Sequence, residues 1–332
     1  MKMSRVRLID VAARVGVSSK SVSNVVNGTG YVGAEVRERI LEAIDELGYR
    51  PNLAARQLRQ GRSGLLALVI PDLREPYFAE FASRFVEAAQ QRELTTLVSQ
   101  TKGAHSNELA MLTGQGLPAL DGIVMSPLRL TPEDVAHRRG SAPVVMIGEE
   151  SQTLAGPDNH HVGIDNVAAA VAATEHLLSR GRRRIAAVGV QDDGPSATSQ
   201  LRFEGYRQAL AGRGIEADPS LFATVKDFNR AEGSRAVEAL LNSKTDFDGL
   251  ICFNGTLALG ALYTLGARDV RVPDEVDVIG FDDIEEGRYT NPSFSTIDPG
   301  TDEMCTMILD IIADPVAFDE RRHIVPYSII IR

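Results

Sequence analysis

Apolar residues in the first fifty positions recur with the spacing of helices. Leu8, Val11, Ala12 and Val15 fall at i, i+3, i+4 and i+7, which predicts one buried stripe on a short helix. Gly16 stands where a helix end favours a left-handed residue, and Ser18 is placed to cap the next helix. There Val22, Val25 and Val26 form the buried stripe, leaving Ser19, Lys20, Ser23, Asn24 and Asn27 outside. A third stripe, Val36, Ile40, Ala43, Ile44 and Leu47, stops at Gly48. From Leu65 the pattern changes to short continuous apolar runs: "LLALVI" (65–70), "LTTLVS" (94–99), "GIVMS" (122–126) and "PVVMIG" (143–148). After a break near "GPDNHHVGIDN" a second series follows: "RIAAVGV" (184–190), "LFATV" (221–225), "FDGLICF" (247–253) and "EVDVIGF" (275–281). Amphipathic segments such as 168–178 and 231–241 fill the gaps. Continuous runs alternating with helices predict parallel sheets covered on both faces, here in two similar α/β lobes.

Two helices joined by a glycine-containing turn make a helix-turn-helix, whose second helix offers its polar N-terminal side chains to a DNA major groove. Lys20 can donate to a guanine edge, Asn24 can pair with adenine, and the serines can reach bases or phosphates. A small bundle with a solvated polar face explains the same periodicity. Charge bears on the choice, although a solvated basic N-terminus explains it equally. The net charge of −10 is divided unevenly: residues 1–62 hold eleven Lys and Arg against six Asp and Glu, and the remainder holds 24 against 39. A basic head on an acidic body suits one small domain that meets phosphates while the rest avoids them.

Gly28, Gly30 and Gly33 spell the G-x-G-x-x-G of a dinucleotide-binding turn. That turn needs a buried strand before it and another after its helix. The valines before it have helical spacing instead, and "GYRPNLAARQLRQG" after the helix cannot be a buried strand. The glycines are read as loop residues. No phosphate loop, nucleophile elbow or paired-histidine zinc motif supports catalysis. Adjacent His160 and His161 do not share a helix face for a metal and are read as a solvated loop. Cys252 lies in an apolar run and is read as a buried hydrophobe. Two cysteines, no secretory apolar core and no run of about 18 apolar residues predict a cytoplasmic protein without a membrane span, and no cofactor or metal is expected.

The stretch "LIDVAARVGVSSKSVSNVVNG…VRERILEAIDELGYRPNLAARQLRQG" resembles the DNA-binding head of the lactose/galactose repressor (LacI/GalR) family of transcriptional regulators, and the similarity continues through the chain. The resemblance implies a small all-α helix-turn-helix head (1–50), a hinge helix and linker (51–63), and a two-lobed, periplasmic-binding-protein-like α/β core (64–332) that binds effector and dimerises. Its DNA-binding residues would be Ser18, Ser19, Lys20, Ser21, Ser23, Asn24 and Asn27, with Asn52, Ala55 and the intercalating Leu58 in the hinge. In the cleft beyond the strand ends it nominates Tyr77, Phe78, Arg202, Phe228, Asn254 and Asp282 for the effector, although a strand-end Asp or Asn more commonly caps the next helix. The implied partners are operator DNA, a second copy of the chain, and a small molecule: a sugar or sugar derivative, with a purine as the alternative given Phe228. No heptad tail follows "YSIIIR", so nothing signals a coiled-coil tetramer. Arg7 and Gly33 replace the family's usual capping Ser or Thr, Asn24 a common Arg, Gly255 a usual Asp, and Gly148 an Asp that several members have.

Overall fold

The computed structural model describes residues 6–49, 62–157, 159–192 and 196–332. The hinge candidates Asn52, Ala55 and Leu58 lie outside them. Two compact units divide the chain, Met1–Ser63 and Gly64–Arg332.

The first unit holds three helices, α1 (Leu8–Val15), α2 (Ser19–Asn27) and α3 (Ala34–Leu47). Their stripes meet as the spacing predicts: Val11, Ala12, Val15, Val22, Val25, Ile40 and Ala43 are buried together, with Leu8, Val26, Val36, Ile44 and Leu47 packed around them. Gly16 ends α1 at φ 76°, a conformation that lets the chain turn through Val17 into the Ser18 cap. Arg39 donates to the Val15 carbonyl at 2.8 Å and satisfies another open group at that helix end.

In the second unit, the first lobe's sheet contains β1 (Leu65–Ile70), β2 (Thr95–Gln100), β3 (Gly122–Met125), β4 (Val144–Ile147), β5 (Asn159–Gly163) and β11 (Arg322–Ile324), in the order β11-β5-β4-β3-β1-β2, all parallel. The second lobe's sheet contains β6 (Ile185–Val190), β7 (Phe222–Thr224), β8 (Gly249–Cys252), β9 (Asp277–Phe281), β10 (Ser295–Asp298) and β12 (Ser328–Ile330), in the order β12-β10-β9-β8-β6-β7. Only the β10–β12 pair there is antiparallel. Helices α4 (Pro76–Gln91), α5 (His105–Leu112) and α6 (Pro132–Ala136) connect strands of the first lobe. Helix α7 (Asn166–Ser179) leads from β5 into β6, α8 (Ala197–Gly212), α9 (Arg230–Asn242), α10 (Gly255–Ala267) and α11 (Glu286–Tyr289) connect strands of the second lobe, and α12 (Thr301–Ala313) returns to pack on α4. The strand order therefore takes the chain across between lobes three times, after β5, after β10 and after β11.

One sequence reading is corrected here. His160 and His161 are not in a solvated loop; they lie in β5, 2% and 1% exposed. Alternation along the strand sends them to opposite faces, and each finds a partner. His160 Nε2 accepts from the Arg321 guanidinium at 2.7 Å, while Nδ1 lies 3.0 Å from His323 Nε2. His161 Nε2 donates to the Gly148 carbonyl at 3.1 Å. Burial, reinforced by the Arg321 charge, holds the His160 imidazole down at about 4, so it stays neutral. Cys252 is fully buried, and burial pushes its thiol far above the ordinary range, as befits an inert core residue.

Candidate functional site

In the head, the Ser18 hydroxyl accepts from the Ser21 backbone N–H at 3.1 Å and lies 2.9 Å from the Ser21 hydroxyl. These two serines are thus engaged in starting α2. Ser19 and Lys20 project from its first turn into solvent, Ser23 and Asn24 are half-buried, and Asn27 is its last residue. Replacing Ser18 with Ala should cost the head about 1 kcal/mol, read as an earlier loss of helical circular dichroism on heating. Arg7 precedes α1 without capping it through its side chain, which has only donors. Asp10 supplies the reciprocal half alone, accepting from the Arg7 N–H at 2.7 Å.

The glycine triplet has its explanation in the same region. Gly28 closes α2 at φ 65°, and Gly33 precedes α3. Gly30, at φ 69°, lies under the Asn24 side chain so closely that a Cβ would sit 2.6 Å from Asn24 Nδ2. The pattern serves a tight inter-helix loop, with helices on both sides. That loop also carries Tyr31, 95% exposed.

Between the lobes, Arg202 is the organising group. It projects from α8 and is 5% exposed. Nε donates to Asn166 Oδ1 at 2.8 Å, Nη1 donates to the Phe253 carbonyl, and Nη2 lies 3.7 Å from Asp282 Oδ1. The guanidinium carbon sits 3.9 Å from the centroid of the Phe281 ring, within cation–π range. Asp282 follows β9 at φ 82°, a left-handed backbone that costs energy for a non-glycine residue and aims its carboxylate at this cluster. Burial raises its carboxyl above the usual range, and Arg202 only partly opposes that.

Asn254 caps α10, its Oδ1 accepting from Leu257 N–H at 2.8 Å, while Nδ2 donates to Thr256 Oγ1 at 2.8 Å. The capping role expected of a strand-end amide is therefore real here. Phe228 is half-buried against the core, and its carbonyl accepts from the Thr256 hydroxyl at 3.2 Å. From the first lobe, Tyr77 stacks at a tilt on Phe78, 5.2 Å between centroids. Burial, with Glu149 and Asp282 facing it, pushes the Tyr77 phenol well above its ordinary value. Phe78 itself packs against the core.

The structure adds residues that sequence reasoning did not nominate. Glu149, just past β4, accepts from Asn166 Nδ2 at 2.6 Å and from Thr198 Oγ1 at 2.8 Å, both on the second lobe. Burial opposes its ionisation, but Arg202 and the Thr198 and Asn166 hydrogen bonds outweigh that and hold its carboxyl below the usual range. Glu150 accepts from the Ala197 N–H at 2.5 Å, and Glu80 from the Glu285 N–H at 2.7 Å. First-lobe carboxylates thus hold second-lobe donors. Gly148 adopts φ 84° and ψ 153°, which an Asp would resist, and the acidic group comes from its neighbour Glu149. At Gly255 a Cβ would lie 2.8 Å from the buried Ile284 side chain, so an Asp there would require repacking.

Residues 7–52 match the family model of bacterial regulatory proteins, lacI family, and residues 174–332 match that of the periplasmic binding protein-like domain. The HTH-type transcriptional regulator AscG of Escherichia coli is 34% identical over 311 residues, covering 91% of this chain and 89% of its own. This chain belongs to the LacI family. It is a DNA-binding transcriptional regulator rather than an enzyme, with a helix-turn-helix head and a periplasmic-binding-protein-like core. The structure of the transcriptional regulator CelR in complex with cellobiose is 28% identical, covers 99% of both chains and superposes with a TM-score of 0.67. The Lac repressor dimer bound to operator and the anti-inducer ONPF shares the fold at 23% identity, with 98% of each chain covered and a TM-score of 0.81. Among the described residues no helix is long and apolar enough to cross a membrane.

Proposed function

We propose that this LacI-family regulator is a dimeric repressor that binds a pseudo-palindromic operator and responds to a small effector, a sugar or sugar derivative, held between its lobes. The observation that carries the reading is Arg202, buried where the lobes meet and fixed among Asn166, Phe253, Phe281 and Asp282. Buried guanidinium, carboxylate and amide groups beside aromatic Tyr77 and Phe228 suit a polyol, whose hydroxyls need paired donors and acceptors and whose C–H face packs on rings. The cellobiose complex of CelR supports that class. A ligand contacting both lobes changes their relative stability by its differential affinity, which is how it would alter operator binding.

Residues 1–50 would bind DNA through Ser18, Ser19, Lys20, Ser21, Ser23, Asn24 and Asn27, with residues 51–63 as hinge and 64–332 as the effector and dimerisation domain. For the dimer face, Tyr263 and Tyr289 are 74% and 80% exposed. The Arg230–Glu286 ion pair at 3.1 Å ties the short helix of Tyr289 to the start of α9, against which Gly260 packs one turn from Tyr263. Tyrosines on such a patch are typical of interfaces.

The test is selection of bound sequences from random duplexes, repeated with a panel of sugars and purines. A selected palindrome released by a sugar supports the reading; an asymmetric single site, or release by purines alone, overturns the corresponding part. Lys20→Ala should weaken binding to the selected operator by about 1–3 kcal/mol, roughly five- to 150-fold, and relax preference at one base pair. Uniform weakening on every sequence, with a shallower salt dependence, would assign Lys20 to phosphate instead.

A further inference from the structure

The polar groups gathered where the lobes meet are unequally satisfied. Most donors are spent on the protein. Arg202 uses Nε and Nη1 on Asn166 and the Phe253 carbonyl. Asn166 is shared between Arg202 and Glu149, and Asn254 is divided between Leu257 and Thr256. The acceptors are underused. Asp282, with its side chain 11% exposed, has Arg202 Nη2 at 3.7 Å and the Gly255 N–H at 3.5 Å, both long for hydrogen bonds.

Glu75 stands at the entry to α4, where its side chain makes no capping bond, and its Oε1 is buried without a hydrogen-bond partner. The Thr256 hydroxyl reaches its carboxylate, but that single proton is also directed at the Phe228 carbonyl. Three charged groups face Glu75: Asp282 and Glu286 disfavour its ionisation and Arg230 favours it, with Arg230 already paired to Glu286. Burial first, then Asp282, pushes the Glu75 carboxyl up to about 7. Arg202 Nη2 keeps donors for a ligand, while the poorly paired carboxyls of Glu75 and Asp282 add open acceptors and negative charge.

We propose that Glu75 and Asp282 make the cleft selective for a hydroxyl-rich effector without an anionic group, a free sugar or glycoside rather than a sugar phosphate or sugar acid, with Glu75 Oε1 as the specificity-determining acceptor. This rests on the effector reading above. A ligand hydroxyl placed on Oε1 fills a vacant bond, whereas a phosphate or carboxylate there adds a like charge in a poorly solvated space and would be rejected.

The test has a ligand-free arm and a ligand arm, both on the full chain. A carboxyl whose folded value is raised lowers stability as pH climbs from about 4.5 to about 7. Glu75→Gln should remove that part of the decline and unfold about 2–4 °C above the parent at pH 8. A lower melting temperature for Glu75→Gln at pH 8 would show that Oε1 already has a donor, and the proposal falls. In the second arm, cellobiose, D-glucose, D-glucose 6-phosphate and D-glucuronate are titrated by calorimetry. Saturable binding of a neutral sugar, at least tenfold tighter than either anion, is expected; tighter binding of an anion overturns the proposal. Silence of all four sugars beside a stabilised Glu75→Gln strikes at the sugar reading and leaves the acidity of the cleft supported.

Discussion

Replacing Arg202 with Met should destabilise the two-lobed unit by about 3–5 kcal/mol, seen as an earlier midpoint in chaotrope unfolding of the full chain. Methionine keeps most of the side-chain length, so the expected loss is electrostatic more than steric. Without the guanidinium, the Asn166 oxygen and the Phe253 carbonyl lose their donor, and the Phe281 face loses its cation. Asp282 would remain in its left-handed turn, nearly buried, with only the distant Gly255 N–H to stabilise its charge. The cost is that of stranding a carboxylate, not the net worth of the ion pair, because burying both charges already carries a desolvation penalty. Two controls follow from this argument. Adding Asp282→Asn to Arg202→Met should recover part of the loss, since the stranded charge is gone. Arg202→Lys should rescue poorly, because a lysine cannot donate to Asn166 and Phe253 in the fixed fork of a guanidinium. A loss below about 1 kcal/mol would mean that Arg202 is not the organiser of this cluster. Regulation by effector should be lost in the same variant, checked by operator release across the sugar panel.

Legibility in the sequence followed the range of the interactions that make each feature. The head was readable because its stripes are set by neighbours three and four residues apart, and Gly16 and Ser18 signal the turn locally. The strands β1, β3, β4, β6, β8 and β9 were readable because each is a mostly continuous apolar run, whereas the edge strand β2 has only Leu97 and Val98 among Thr, Ser and Gln. By contrast β5 reads "NHHVG" and is buried only because Arg321 and His323, over 160 positions later, arrive to satisfy His160. The strands β10, β11 and β12 are three or four residues long and contain Ser, Thr, Asp, Arg or His. Their strand character comes from pairing with distant partners, so the second and third crossings between lobes left no local trace. The same reasoning separates the cleft residues. Asn254 and Asp282 follow apolar runs and could be nominated on position alone. Glu75 and Glu149 gain their meaning from Thr256, Asn166 and Thr198 on the other lobe. No spacing rule within one segment encodes that meeting.

The second large effect is expected far from any base-reading side chain. Ile40 lies on α3, fully buried against the stripes of α1 and α2, and Ile40→Ala should cost about 2–5 kcal/mol. A domain built on so few apolar side chains has little stability to lose, because small cores bury a small fraction of their surface. Several kcal/mol is then comparable to the whole stability of the head, and its folded fraction should fall steeply. Operator affinity should fall with it, since a ligand sees only the competent fraction of its receptor. The second unit has its own core, so its unfolding transition should stay where it was. The measurement is a paired one on the full chain: operator binding by fluorescence anisotropy at fixed salt, and the unfolding of both units by calorimetry. Lost binding with the large transition unmoved is the expected pair. Retained binding would mean that the three-helix core tolerates the cavity. Lys20→Ala gives the contrast: it should weaken binding while leaving both transitions in place, because Lys20 is exposed and packs on nothing in the core. Ile40 and Lys20 thus separate the two requirements for reading DNA with this head, a rigid frame and the side chains it presents.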